Sequence, residues 1–591
     1  MTELYIDGKQ AALPENFSVA VKVENPFFTK NGEYTYEIKL SLKDGTNAEL
    51  YSFINRLNST DGVRSGRKAV LVADGHVYCD GTEVITGWTD EEVSVQLVSG
   101  NSELNYFIGA DALVSSYTSM PVTSWTAEQA RSANLTSYPS SEAVAPILCN
   151  SSDGSVINAW AYRDGEWILD GASMPQPYLA AYVRHLLRAM GYELTYNAVE
   201  DTPWKDVIML QGTGSQRWCD WAPGWTAKEL LEGYEKLFNG TFVIDYLTKK
   251  ARFVLNQDYV REFPQVFVQD VTDSYNVECG EEPQEDACLS NVRYAVPSTD
   301  YYKLHACDNN VLERAFHGIA TDPDMNAFFR SVWSFPKWLY EYYGRYAIKV
   351  HVPLEDSEGS VYGGMFVGEF SALLRDRSSD DFHEIPLVPA EMREVEYDAG
   401  INVFSHYEIP AVEGSAQESS EDVSDWLYDR MRQEQSSGDK GRRDIYIAIY
   451  AGMERRMWMY GAPVAHTDSW MREGGNEFVC MATTATLRLK DMEPYFFTKA
   501  YEVDVKSPIE VHSYDPSVYD VRCIFAFGHR RYLCREMEYT IGPQGRSGSW
   551  KGVFYPVRLS DTDTEKRWIL NDGTWRDTGV YIEDGRWNDK G

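Results

Sequence analysis

Two-residue alternation at both ends of the chain is the feature that most narrows what it can fold into. Near the start, apolar residues fall at Phe17, Val19, Val21 and Val23, then at Tyr34, Tyr36, Ile38, Leu40 and Leu42, with Asn31-Gly32 between the runs. Side chains two apart share one face of a strand, and Asn-Gly supplies the positive φ angles of a tight turn, so the spacing predicts two antiparallel strands. Leu50, Phe53, Ile54 and Leu57 then recur at helical spacing, which predicts a short helix over Asn47 to Asn58. Further strand runs at Ala69 to Ala73, His76 to Cys79, Glu83 to Thr86 and Val93 to Val98 are separated by Asp74-Gly75 and Asp80-Gly81, each read as a turn. Residues 1–110 are expected to form a barrel-like β domain of ordinary size.

Alternation resumes late, at Ile445 to Tyr450, Thr483 to Leu489, Tyr501 to Val505, Val521 to Phe527, Arg531 to Leu533 and Gly552 to Leu559. These runs predict a second barrel, to which a mixed β region at 261–410 contributes and which 443–560 completes. Between the two ends the period changes. Leu179, Tyr182, Val183, Leu186, Leu187 and Met190 occupy one helical stripe after Pro175 and stop at Gly191. A second helix is expected from Thr226, where Thr226 and Glu229 make a capping box, through Leu230, Leu231, Tyr234, Leu237 and Phe238 to Gly240. Thr241 to Tyr246 and Ala251 to Leu255 predict a hairpin, so 171–260 reads as a small α+β domain.

The remaining segments are less regular. Residues 111–170 are rich in Ser, Thr and Asn and read as a loop-rich β insertion, and 411–442 as an exposed acidic insertion. The tail, 561–591, repeats Asn571-Asp572-Gly573-Thr574-Trp575 as Glu583-Asp584-Gly585-Arg586-Trp587, and Asp164-Gly165-Glu166-Trp167 carries the same pattern internally. Asp-Gly favours a two-residue turn with Trp covering the adjoining face; an exposed Trp for sugar or protein contact is the alternative. The fold class expected is multidomain and mainly β, with an α+β insertion and two barrel-like β domains.

At 591 residues the chain is several domains long, and its 14% aromatic content, with 39 Tyr and 17 Trp, suits sheets packed on amphipathic rings. A net charge of −35 opposes sequence-independent nucleic-acid binding, which needs cations to displace counterions. The same acidity also serves solubility. Nine cysteines without a C-x-x-C pair read as reduced thiols; the closest spacings are Cys279 to Cys288 and Cys523 to Cys534. The first residues show no signal-peptide pattern, and no run of 18 apolar residues occurs, so a protein made in the cytoplasm without membrane insertion is expected.

No phosphate-binding loop, dinucleotide fingerprint, nucleophile elbow or H-E-x-x-H motif is present. Gln211-Gly212-Thr213-Gly214-Ser215 leads into Arg217 and Trp218 rather than a capped apolar helix and reads as a loop. Ten histidines lie singly; only His383-Glu384 adjoins another ligand type, and His185 falls within a helix as a polar-face or interfacial residue. Among 90 Asp and Glu no pair stands out as a glycosidase acid and nucleophile. His529-Arg530-Arg531-Tyr532, with Arg535, reads as a hairpin rim or a strand facing an acidic neighbour. No catalytic, cofactor-binding or metal-ligating residue is therefore assigned, and no cofactor is expected.

Several phrases carry a resemblance. Leu13-Pro14-Glu15-Asn16-Phe17, Asn25-Pro26-Phe27-Phe28-Thr29, Gly32-Glu33-Tyr34-Thr35-Tyr36, Asn55-Arg56-Leu57-Asn58 and Gln96-Leu97-Val98-Ser99-Gly100-Asn101-Ser102 resemble the N-terminal domain of tail hub, or baseplate hub, proteins from phages and prophages of anaerobic gut bacteria. The Thr226-Ala227-Lys228-Glu229-Leu230-Leu231 helix, the Thr241 to Tyr246 strand and the stretches Tyr532 to Ile541 and Gly552 to Tyr555 are similar to later parts of that family. The chain departs from it at Leu42-Lys43-Asp44-Gly45, where family members carry a Pro-containing strand end. The resemblance implies a virion protein without enzymatic activity. It would be a homotrimer whose twin barrels build a ring between a six-fold tail tube or distal tail protein and a three-fold tip or fibre, with DNA passing through the lumen unbound. A receptor- or glycan-binding tip protein and a tail-borne polysaccharide- or wall-degrading enzyme are the alternatives.

Overall fold

The structure, a computed structural model, describes residues 1–559 apart from 29–32, 57–65, 100–111, 137, 246–247, 260–262, 269–270, 272–290, 308–311, 313–336, 343–344, 354–359, 375–381, 397–405, 413–442, 454–462, 469, 474–476, 481–484, 499–500, 505–506 and 528–529. The Asn31-Gly32 turn, most of the acidic insertion and the D-G-x-W tail thus lie outside the described residues. What is described is mainly β, with an α+β part between the two alternating ends.

The alternating ends meet. Val19–Glu24 pairs on one side with Glu33–Thr35, as the alternation predicts, and on the other with Arg530–Gly542, from Val19↔Ile541 to Glu24↔Glu536. Early and late strands therefore belong to one 14-stranded sheet. Their inward residues line one core, which runs from Leu4, Leu40 and Val95 to Met537, Trp550 and Phe554. The early and late strands thus form one continuous sheet.

At each end the sheet bends back on itself through a few bonds. Thr2, at the start of Thr2–Ile6, donates its hydroxyl to Gly542 O at 2.5 Å and its N–H to Pro543 O at 3.2 Å. Val271, just beyond Gln265–Phe267, makes an isolated bridge to Ser513 of Ile509–Ser513. No closed barrel is formed among the described residues.

Several local expectations change, each for a physical reason. Asp74-Gly75 is a turn, with φ of 51° and 77°, but Asp80-Gly81 is not. His76–Trp88 runs straight through it, because Gly81 is where the neighbouring strand's backbone comes close. The helix expected over 47–58 is confined to Gly45–Leu50, capped by Asp44, and ends where Ser52 and Phe53 turn left-handed. Tyr34 to Leu42 divides into Glu33–Thr35 and Ile38–Ser41. Leu489–Phe496 is helical where the sequence predicts the end of a strand, its buried Leu489, Met492 and Phe496 falling on one helical face.

The α+β part follows its periodicity. Leu179–Ala189 ends before Gly191 at φ 91°. Ala227–Phe238 carries the Thr226–Glu229 capping box and ends on left-handed Asn239. Both helices share a core with Glu193–Asn197, Lys250–Leu255 and Gly240–Asp245, a three-stranded sheet. The Ile445–Met453 strand joins this body, pairing with Val207–Leu210. Its run of consecutive buried residues, Ile447 to Tyr450, needs cover on both faces and lies wholly within the shared core.

Candidate functional site

Asn25 is the point where the separate parts of the chain are tied together. Strand pairing ends at Glu24, and Pro26 has no N–H to continue a ladder, so the chain must leave the sheet here. Asn25 is 0% exposed, and a buried amide must find partners for its donors and acceptor. Its Nδ2 donates to Val521 O at 3.0 Å and to Cys534 O at 2.8 Å. Its Oδ1 accepts from Phe27 N at 3.0 Å and from the hydroxyl of Tyr259 at 2.9 Å, while its backbone N–H donates to Arg535 O at 2.8 Å. Arg535 is the extra residue of a bulge, which turns its carbonyl toward Asn25.

One side chain thus binds the early strand, the end of the α+β part and the late strands. Around it Phe27, Phe28, Tyr259, Ile524, Leu533 and Tyr555 pack as a separate small core. Phe27 lies 4.6 Å from the Tyr259 ring and Phe28 5.0 Å from that of Tyr555. Burial pushes the Tyr259 hydroxyl far above its ordinary range and keeps it a neutral donor.

Beside the joint, Glu24 and Glu536 face each other across the sheet, a repulsive pair if left alone. Lys22 reaches both, at 3.2 Å and 2.9 Å. Burial disfavours its charge, but the hydrogen bond and charge of Glu536 outweigh that and raise its pKa. Tyr34 donates to Glu24 at 2.9 Å, and burial followed by that bond pushes its hydroxyl up to about 12. What this constellation does chemically is hold the early strands to the late one.

The residues singled out in the sequence are not brought together. Gln211 is buried, its Nε2 on Pro175 O at 2.9 Å and its Oε1 accepting from Thr213, so the glycine loop is fastened down. Glu384 holds Arg293 at 2.5 Å. His185 Nε2 sits 2.9 Å from Glu142, with its ring edge-on to Trp218, as an interfacial residue. Arg530 pairs with Phe527 at the end of the described ladder, and His529 lies outside the described residues. No group of three His, Cys, Asp or Glu suited to a metal occurs among the described residues. The internal D-G-x-W copy forms the hairpin Ala159–Arg163 to Glu166–Asp170, with Trp167 5% exposed against Tyr162.

Asn25 appears in the sequence only as part of a phrase. The signal that marks it is Asn-Pro followed by two Phe, since a surface turn would not follow its break with two large apolar side chains.

No family model matches the chain, and no curated protein matches it. Among solved structures it is similar to the 43 kDa tail protein of prophage MuSo2 from Shewanella oneidensis, at 8% identity and a TM-score of 0.29 over 94% of this chain and 96% of that one. It is similar also to the tail protein from Neisseria meningitidis MC58, at 7% identity and a TM-score of 0.26 over 94% of this chain and 95% of that one.

Proposed function

We propose that the chain is a virion structural protein, a trimeric tail hub that joins the six-fold tail tube to the three-fold tail tip and lines the DNA exit channel. The observation that carries this reading is the Asn25 joint. The phrase Asn25-Pro26-Phe27-Phe28, which bears the family resemblance, is the buried tie between the early strands, the α+β part and the late strands. A ring built from heterologous contacts closes only if the angle between a subunit's two contact faces is held fixed. A buried tie of five hydrogen bonds through one residue supports that requirement. The net charge of −35 suits a lumen through which DNA slides without sticking.

The test is to locate the chain in isolated tails by electron microscopy and to weigh the purified protein by light scattering. The reading predicts a three-fold ring at the tube's end and an associated mass three times that of the 67.4 kDa chain. Tails that lack the chain altogether, or carry it as a monomeric outer appendage, overturn it.

A further inference from the structure

The hairpin beside the joint contains two cysteines whose positions the strand register sets against each other. Ile524–Phe527 pairs antiparallel with Arg530–Gly542 through Ile524↔Leu533, Phe525↔Tyr532, Ala526↔Arg531 and Phe527↔Arg530. One step beyond Ile524↔Leu533 the same register places Cys523 opposite Cys534. Alternation then decides which way they face. Ile524 and Leu533 belong to the small core around Phe28 and Tyr555, whereas Cys523, Phe525, Tyr532 and Cys534 all belong to the large core.

Both thiols therefore lie on one face of one hairpin, and neither is in a disulfide. Opposed residues of an antiparallel pair have Cα atoms about 4.5–5.5 Å apart, within the roughly 4.4–6.8 Å that a disulfide spans. The Asn25 amide, seated between Val521 O and Cys534 O at 3.0 Å and 2.8 Å, ties the segments that carry the two cysteines.

We propose that Cys523 and Cys534 are a redox-active cross-strand pair that closes to a disulfide when the folded protein meets a small-molecule disulfide such as oxidised glutathione. Cys523 is the point of entry, being 8% exposed against 0% for Cys534. Its thiolate attacks one sulfur of the small disulfide, and a small thiolate leaves. Cys534 then gives up its proton and attacks the Cys523 sulfur, and the second small thiolate leaves. The protein thiols lose two electrons and two protons; the small disulfide gains them as two thiols.

Burial pushes the Cys523 thiol up to about 11 and the Cys534 thiol well above its ordinary range, so the exchange is slow at neutral pH and faster in alkali. The pair would stay open in a reducing cytosol and close outside it. The bond would staple the hairpin that carries two of the carbonyl partners of Asn25.

The full chain, incubated folded with oxidised glutathione, alkylated and digested with trypsin without reduction, gives a direct readout. Cleavage after Arg522, Arg530, Arg531 and Arg535 puts the two cysteines on different peptides, 523–530 and 532–535. The proposal predicts that mass spectrometry finds these two joined as the dominant disulfide species, forming faster as pH rises. Glutathione retained on Cys523 without the joined peptide, unmodified cysteines after prolonged exposure, or a spread of pairings with Cys79, Cys149 and Cys219 each overturns it.

Discussion

The side-chain amide of Asn25 donates to the carbonyl oxygen of Cys534 at 2.8 Å, linking residues 509 positions apart in the chain. With its companions, that contact ties the early strand to the late ones. Asn25→Asp keeps the shape but replaces the Nδ2 donor with an acceptor that faces the carbonyls of Val521 and Cys534. Leaving buried polar groups unpaired costs about 1–3 kcal/mol each. Asn25→Asp is expected to lower stability by about 3 kcal/mol or more, as much as or more than Asn25→Ala, when both are measured by urea unfolding. An Asp variant as stable as the native chain shows the joint to be packing alone.

Glu83 is fully buried within the large sheet and faces Arg67, whose guanidinium lies 2.8 Å away, while the Tyr51 hydroxyl also donates to it. Removing one member of a buried pair leaves a charge without compensation, at a cost of about 3–5 kcal/mol. Arg67→Met is therefore expected to destabilise by that amount, and Arg67→Met with Glu83→Leu to recover much of it. A double-mutant cycle read by chemical denaturation checks this; additive losses contradict it.

A Cβ on Gly81 would lie 1.9 Å from Val98 O and 2.7 Å from the Ser99 Cβ. Backbone cannot yield as a flexible side chain can, so Gly81→Ala is expected to cost about 3 kcal/mol. Gly75→Ala, whose Cβ meets nothing but whose φ is 77°, is expected to cost less. Thermal melts of the two variants separate steric crowding from turn strain.

Glu142 is held below the ordinary glutamate value of 4.5, first by its hydrogen bond with His185, against the upward push of burial, and then by the charges of His185, Arg184 and Arg188. A depressed carboxylate stabilises the fold above its unfolded pKa, and that contribution disappears as pH falls through the folded value. The stability gap between the native chain and Glu142→Gln is thus expected to be full at neutral pH and to close in acid below 4.5. The side chain is 43% exposed, so the gap is small and shrinks with salt. A gap that widens in acid contradicts the assignment.

What the sequence shows of this fold is what local physics determines. The helices at Leu179–Ala189 and Ala227–Phe238 announce themselves by stripe and cap, and the hairpin at Asp164-Gly165 by its turn chemistry. The helix Ala127–Leu135 falls in the stretch read as a loop-rich β insertion: Thr126 and Gln129 form the same kind of capping box as Thr226 and Glu229, but its low hydrophobicity hides the stripe. Pairing across hundreds of residues leaves no such mark. Nothing in Val19–Glu24 names Arg530–Gly542 as its neighbour, and Gly81 looks like a turn because the residue that needs it small is Val98, on another strand. Asn25 is hidden for the same reason, as its partners come from 259, 521, 534 and 535.

Native-state hydrogen exchange tests the union of the two ends most directly. Amides of Val19–Glu24 and of the paired stretch 536–541 should open together, with one shared free energy, and Asn25→Asp should lower that energy equally in both. Early-strand amides that exchange on their own schedule, indifferent to the late strands and to Asn25, would contradict the account.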